Sequence, residues 1–277
     1  MIIIMISFLL SLLLTVSCYA YDENLAIYCV NLVQSTYCVS SVDDWVYKTC
    51  EPSIILDYVV ENSGSKAIQG YDNMTNTIFT SFRGSSNIHN WIENIQIHQI
   101  APYNDSSIKI EEGFFKAYNF IKSEIFINLH ELTDKYNTNR LLITGHSLGG
   151  AMATIMTYEI FLLGNMYNVN YLITFGSPRV GNSEFVKDFN KYKVTSYRIT
   201  HYYDMVPHVP EEFLKYSHIS NEIWYNEDNS KFKICNDYLS EDNSCSNSCG
   251  PVHCTSTSDH LTYLNMSMGN DNDSSCY

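Results

Sequence analysis

The stretch Leu141-Leu142-Ile143-Thr144-Gly145-His146-Ser147-Leu148-Gly149-Gly150-Ala151-Met152-Ala153-Thr154-Ile155-Met156 decides how this chain folds. Its first four residues form a short apolar run, the pattern of a buried strand. Its last six are almost wholly small or apolar, the pattern of a buried helix. Between them, Gly145-His146-Ser147-Leu148-Gly149 must turn the chain sharply. A serine at the apex takes a strained backbone, and the flanking glycines let strand and helix pass without β-carbons colliding. Its hydroxyl then stands clear of the sheet beside a helix N-terminus, whose free amides favour a developing negative charge. In this context the serine reads as a nucleophile; a glycine-rich turn of no chemical role is the alternative.

Outward from this turn, strands and helices alternate. Upstream, Glu112 to Tyr136 reads as one long amphipathic helix, with Phe115, Tyr118, Ile121, Ile125, Leu129 and Leu132 on one side. Downstream come a strand at Tyr171–Phe175, a helix at Ser183–Tyr192 and a strand at Val194–Thr200. Nearer the start, a helix over Asp22–Tyr37 precedes a strand at Ile54–Val60 and a strand pair over Lys66–Asp72 and Asn76–Phe82. This order predicts an α/β fold with a central, mostly parallel sheet flanked by helices. With no repeat and no low-complexity linker, residues 21–277 read as one domain, ending in a polar, acidic tail from Met266 that is expected to lack order beyond whatever Cys276 anchors.

A chain of 277 residues has room for a substantial core. The formal net charge of −14 argues against nucleic acid and strongly anionic membranes as partners, but not against a neutral lipid or sugar. Met1 to Ala20 is apolar without a charged side chain and reads as a secretory signal peptide cut near Ala20. An uncleaved anchor is the alternative, because the run is long and lacks a basic start. No other long apolar run follows, so no stable membrane insertion is expected after cleavage, and a secreted or secretory-lumen location follows. Of nine cysteines, loss of Cys18 with the signal leaves an even number, which suits an oxidising compartment. Asn73, Asn104, Asn265 and Asn272 begin glycosylation sequons.

A serine hydroxyl attacks poorly unless an imidazole takes its proton and a carboxylate orients that imidazole. On a turn of this kind the chain order is serine, acid, histidine, with the acid just beyond a strand. Asp204 follows the strand ending at Thr200; Asp188 lies mid-helix, and Asp237 and Asp242 lie among cysteines. His201, His208, His218, His253 and His260 all lie downstream, and His260 leads because it comes last and just ahead of a helix. Backbone donors for an oxyanion are expected at Leu148 and in the Gly84-Ser85 loop; a plain turn is the other reading of Ser85. Ile88, Trp91, Ile92 and Ile95 make an apolar stripe on a short helix, which is either core or a mobile flap.

Five blocks resemble the fungal-type, class 3 triacylglycerol lipases, a branch of the α/β-hydrolases. They are Phe82-Arg83-Gly84-Ser85 with Asn90-Trp91-Ile92, Gly145 to Gly150, Phe175 to Gly181, His201 with Asp204 to Pro210, and Asp259-His260-Leu261-Thr262-Tyr263, in family order. The resemblance implies a triad of Ser147, Asp204 and His260, an oxyanion hole at Ser85 and Leu148, and a short helical lid carrying Ile88, Trp91, Ile92 and Ile95. It implies no metal and no other cofactor. The expected partner is an acylglycerol at an oil–water interface, met by a monomer; a feruloyl-type esterase, a phospholipase A1 or a non-catalytic lipid-binding relative are the alternatives. By the same analogy Cys29 pairs with Cys276, and Cys235 with Cys245. Two departures stand out: His89 replaces a frequent arginine ahead of Asn90-Trp91, and the insert from Ser240 to Thr257 is rich in cysteine. Cys249, His253 and Cys254 suggest zinc as a second reading, with disulfides preferred for an exported chain.

Overall fold

The strand–turn–helix unit sits at the middle of the molecule. In the computed structural model, which describes residues 21–45, 53–93, 95, 97–164, 166–236, 241–249 and 253–269, an eight-stranded sheet carries it. The elements in order are α1 (Glu23–Cys38), β1 (Ile54–Asn62), β2 (Ser65–Asp72), β3 (Thr77–Phe82), α2 (Ile88–Glu93), β4 (Gln99–Ile100), β5 (Ile110–Glu111), α3 (Glu112–Asn119) and α4 (Lys122–Tyr136). They continue with β6 (Arg140–His146), α5 (Leu148–Leu162), β7 (Asn168–Phe175), α6 (Ser183–Phe189), β8 (Thr195–His201), β9 (Glu222–Tyr225), β10 (Phe232–Ile234), α7 (Thr257–His260), β11 (Thr262–Tyr263) and β12 (Met266–Ser267). The sheet order is β1-β2-β3-β6-β7-β8-β9-β10. Pairing is parallel from β3 through β9 and antiparallel at both edges. This is an α/β-hydrolase architecture with a central, mostly parallel sheet flanked by helices.

The parallel strands are buried on both faces, as their near-continuous apolar sequences require. One face packs Val60, Ile78, Phe82 and Ile143 against α3, α4, α5 and α6. The other packs Phe79, Leu142, Ile173 and Ile199 against α1, whose Ala26, Cys29, Val30 and Val33 are fully buried. Helix α5 is buried around almost its whole girth, from Gly149 to Ile160, which explains its lack of a polar face. The register Ser81↔Thr144, Phe82↔Gly145 and His146↔Phe175 brings the carboxyl ends of β3, β6 and β7 level. Chemistry in such a sheet gathers beyond that edge.

The structure corrects four expectations. The long helix over Glu112–Tyr136 is two helices, broken at Phe120-Ile121, where the Ile121 amide bonds the Tyr118 carbonyl at 3.1 Å. The break turns Ile121 into the core, 1% exposed, and leaves Phe120 outside, 49% exposed. The strands β9 and β10 were not expected, because Glu222 and the exposed Phe232–Ile234 run hide the apolar pattern. The tail is ordered at least as far as Met268, which is buried. Cys29 is a free buried thiol, not a disulfide partner, because it faces the sheet; Cys38 at the end of α1 is the bonded one. Met1–Ala20, Cys50, Asp237, Asn272, Cys276 and the side chain of His89 lie outside the described residues. Cys235 pairs with Cys245, and Cys249 with Cys254, which engages both sulfurs of the cluster that suggested zinc.

Candidate active site

Ser147 links β6 to α5 with φ 57° and ψ −128°, a strained conformation for a residue with a side chain. Its amide donates to the Phe175 carbonyl at 2.9 Å, and its carbonyl accepts from the Gly150 amide at 2.9 Å, so both neighbours fix the turn. The glycines are there for contact. A β-carbon on Gly145 would meet the Gly149 backbone, and one on Gly149 would lie 2.8 Å from the Arg83 carbonyl oxygen. On Gly84 a β-carbon would lie 2.9 Å from the Ser147 β-carbon, so the Gly84-Ser85 loop runs against the serine.

Asp204 follows β8 in a turn whose backbone closes between the Asp204 amide and the His201 carbonyl, 2.9 Å. The segment before α7 lies alongside: Asp204 pairs with Ser256 as an isolated parallel bridge, and the Ser256 amide donates to the Tyr203 carbonyl at 3.0 Å. Ser256 caps α7 by accepting from the Asp259 amide at 3.0 Å. This docking delivers His260. Its Nδ1 lies 3.0 and 2.9 Å from the two Asp204 oxygens, so Nδ1 carries the proton and Nε2 is left bare. Asp204 also accepts from the Val206 amide at 2.8 Å and from the Tyr263 hydroxyl. These donors satisfy both oxygens of a carboxylate that is only 2% exposed. Burial and the Asp204 charge in turn keep the Tyr263 phenol well above its ordinary pKa, so it stays a donor.

Among the described residues, no other downstream histidine hydrogen-bonds Asp204. The His201 Nδ1 lies 2.9 Å from the Asp259 carbonyl, and its Nε2 lies 3.0 Å from both the Glu227 carbonyl and the Asn229 amide nitrogen. Burial lowers the His208 pKa to about 4, helped by nearby Arg179. His218 Nε2 is bound to the Pro207 carbonyl at 2.7 Å, and His253 Nδ1 to the Cys249 carbonyl at 3.2 Å. Of the competing acids, Asp188 binds Tyr158 and Lys191, and Asp242 closes a turn with Ser244.

Ser147 Oγ and His260 Nε2 are both buried, and neither has a hydrogen-bond partner among the described residues. Two orphaned polar atoms of complementary character at one strand edge are costly to leave unpaired, and a site of reaction is one reason to keep them. Catalytic hydrogen bonds are often long before substrate arrives. The Ser85 hydroxyl is engaged locally, within 3.3 Å of both the carbonyl and the amide of Asn87. Leu148 opens α5, the position whose amide is left unsatisfied by the helix itself.

Helix α2 covers this edge. Asn87 starts it, accepting from the Asn90 amide through Oδ1 and from the Trp91 amide through its carbonyl, both at 3.0 Å. Ile88 is buried at 8% exposure, and Trp91 stacks on Phe114 with ring centroids 6.0 Å apart. Trp91, Ile92 and Ile95 are half-buried, Ile95 two residues past the helix end. Trp91 and Ile95 roof a cavity of about 400 Å³ that Ser85, Leu148, Phe114 and Glu111 also line. A second, of about 330 Å³, lies on the other side of the Ser85 loop against Tyr37, Leu261 and Met268.

Sequence reading missed a polar chain behind the serine. The Gly84 amide donates to the Tyr37 hydroxyl at 3.0 Å, which lies 2.7 Å from His146 Nδ1, and His146 Nε2 lies 2.8 Å from the His260 carbonyl. A carbonyl only accepts, so Nε2 carries the proton and Tyr37 donates to Nδ1. Complete burial keeps His146 neutral, its pKa far below the usual value. The chain ties α1, the Ser85 loop, the serine turn and the His260 segment together. His146 beside the serine was in plain view, but nothing local names its partners.

The class 3 lipase family description matches residues 79–214. The chain is 31% identical over 196 residues to a lipase of Rhizomucor miehei, covering 70% of this chain and 53% of that protein. Thus it spans about half the length of the first curated relatives it matches. It is 30% identical over 212 residues to a secreted mono- and diacylglycerol lipase of Malassezia globosa, covering 72% of this chain and 67% of that one. The solved triacylglyceride lipase of Rhizomucor miehei superposes with a TM-score of 0.83 at 25% identity, over 93% of this chain and 98% of that one. On these matches, and with a fold that superposes along nearly its whole length, the chain belongs to the class 3 lipase family.

Proposed function

We propose that residues 21–277 form a secreted, monomeric serine ester hydrolase that cleaves acylglycerols through an acyl-enzyme. The observation that carries this reading is the Asp204–His260 pair, with His260 Nε2 bare and unpartnered at the edge where Ser147 stands on its strained turn. His260 takes the Ser147 proton as Oγ attacks the ester carbonyl, and Asp204 stabilises the imidazolium that forms. The amides at Ser85 and Leu148 take the tetrahedral oxyanion, and the α5 N-terminus adds a favourable field. His260 then gives its proton to the leaving alcohol, and water repeats the sequence on the acyl-enzyme. Every proton step is served by these side chains, and none calls for a metal.

The lid reading rests on α2. Ile88, Trp91, Ile92 and Ile95 close the cavity in water; against lipid, the apolar area uncovered on opening is reburied at about 25 cal/mol per Å². Asn87 holds the Ser85 hydroxyl and starts α2. Moving the helix therefore frees Ser85 for the oxyanion. The relatives named as secreted, and the exposed turn positions of Asn73, Asn104 and Asn265, support passage through the secretory pathway. No helix of the described residues is long and apolar enough to cross a membrane.

Ser147→Ala is the direct test. It should leave a folded protein that loses ester hydrolysis by at least about a thousandfold and no longer reacts with an organophosphonate. Retained activity refutes the assignment. A rate jump as a short-chain triglyceride passes its solubility limit supports the lid; a preference for soluble aryl esters with no jump moves the substrate to the soluble-ester class.

A further inference from the structure

Glu111 is the only acid among the residues lining the cavity under the lid. It closes β5 and stands immediately before α3, where its Oε2 accepts from the Phe114 amide at 2.6 Å. That contact accounts for one oxygen. The other, Oε1, is buried and has no hydrogen-bond partner among the described residues, and the residue as a whole is 0% exposed. Capping a helix needs one short acceptor, which Asp, Ser or Asn provides equally well. It does not call for a longer side chain whose second oxygen is left buried without a partner, which is unfavourable.

The environment shows the same imbalance. Burial pushes the Glu111 pKa up to about 7, against the opposing amides of Gly113 and Phe114 and the more distant Lys116. Trp91, Ile95, Phe114 and Leu148 give the cavity apolar wall beside four serines and Lys116, and the two expected oxyanion residues, Ser85 and Leu148, line it with Glu111.

We propose that Glu111 is a specificity-determining residue whose bare oxygen takes a hydrogen bond from a hydroxyl on the bound ester, so that hydroxyl-bearing esters are preferred over all-hydrocarbon ones. This rests on the ester-hydrolase reading above. A hydroxyl suits the position in both protonation states, donating to the carboxylate and accepting from the acid. An ammonium suits only the charged form and brings a second cation into a cavity that Lys116 already lines. A site built around a hydroxyl also discriminates strongly, because a plain chain leaves the buried acceptor unpaired. The hydroxyl can sit on the acyl chain or on the alcohol, as in a partial glyceride, and the chemistry at Glu111 is the same.

The test compares kcat/KM for ethyl octanoate with its monohydroxylated derivatives, and for trioctanoylglycerol with monooctanoylglycerol, in wild type, Glu111→Leu and Glu111→Asn. Asn keeps a capping acceptor while withdrawing the group from the cavity, so it reads the site even where Leu fails to fold. At least one hydroxylated ester should be preferred about tenfold or more by wild type; both variants should erase the preference, with Leu gaining on plain octanoate. The pair that shows the preference identifies which side carries the hydroxyl. A binding arm uses Ser147→Ala, which keeps the esters intact, and reads the same ratio from thermal shift with and without Glu111→Asn. Failure of hydrolysis and failure of hydroxyl recognition are thereby separate results. Equal ratios in wild type and both Glu111 variants, in rate and in binding, overturn the proposal.

Discussion

Gly176→Ala tests whether the acid–base pair sits in a fixed mould. Gly176 follows β7 with φ +55°, and its amide is pinned to the Ile199 carbonyl at 3.0 Å. A β-carbon there would lie 2.8 Å from Asp204 Oδ2, 2.9 Å from the Tyr263 hydroxyl and 3.0 Å from His260 Cε1. Carbon contacts settle at about 3.5–4.0 Å, so the three groups must retreat by about 0.5–1 Å. The backbone cannot yield instead, because it is bonded to β8. A displacement of that size at a catalytic pair costs up to about a hundredfold in rate. The left-handed backbone adds about 1–2 kcal/mol of destabilisation in its own right.

Gly164→Ala separates the two effects. Gly164 also has positive φ, +79°, but a β-carbon there meets nothing within 4 Å. It should lose the same backbone contribution and keep its activity. The assay is kcat/KM on a soluble short-chain ester, the rate of inactivation by an organophosphonate, and Tm for both variants. Gly176→Ala should lose one to two orders of magnitude in both rates at a Tm little below that of Gly164→Ala. If its activity stays within twofold of wild type while the protein remains folded, Asp204 and His260 are not held by this contact and the argument fails.

Glu111→Gln should change how stability depends on pH. The acid binds more protons folded than unfolded between its ordinary pKa and about 7, so wild type loses stability as pH rises through that window, by at most about 3 kcal/mol. Neutral Gln keeps the capping acceptor, so urea melts should show it more stable than wild type at pH 8 and little changed at pH 4. His208, lowered to about 4 by burial, acts oppositely, its contribution being present near neutrality and lost as pH falls toward 4. Removing the Glu111 slope should therefore steepen acid denaturation below about pH 6.5. Tyr37→Phe breaks the chain to His146 and leaves the Gly84 amide unbonded; a stability loss of about 1–3 kcal/mol, with kcat falling more than KM changes, is expected from denaturant melts and initial rates. Unchanged kcat would make Tyr37 a packing residue only.

What could be read from the sequence follows how local each interaction is. The Ser147 turn was legible because strand, glycines and helix lie within sixteen residues of one another and each obeys its own pattern. Asp204 was legible for a similar reason: it ends a strand, and the acid of such a site must lie there. His260 led the four other downstream histidines only by its place in the chain order, because its position is set by the pairing of Ser256 with Asp204 across more than fifty residues of chain. The failures share that origin. Cys29 and Cys38 lie on one helix, and only the packing of α1 on the sheet says which thiol is buried and which is bonded.

Glu111 sharpens the point. In the sequence it is half of an acidic pair at a helix start, the most ordinary place for a glutamate, and its neighbour Glu112 behaves as expected, bound to Lys116 and His98. What sets Glu111 apart is that β5 ends one residue before α3 begins, so its side chain is buried and lines the cavity that Trp91 also lines, while Glu112 stays part-exposed. In the lid proposed above, movement of α2 would open the cavity that Glu111 lines together with Trp91 and Ile95. The substrate able to recover most from the open state is one that brings both an apolar chain for Trp91 and Phe114 and a hydroxyl for Glu111.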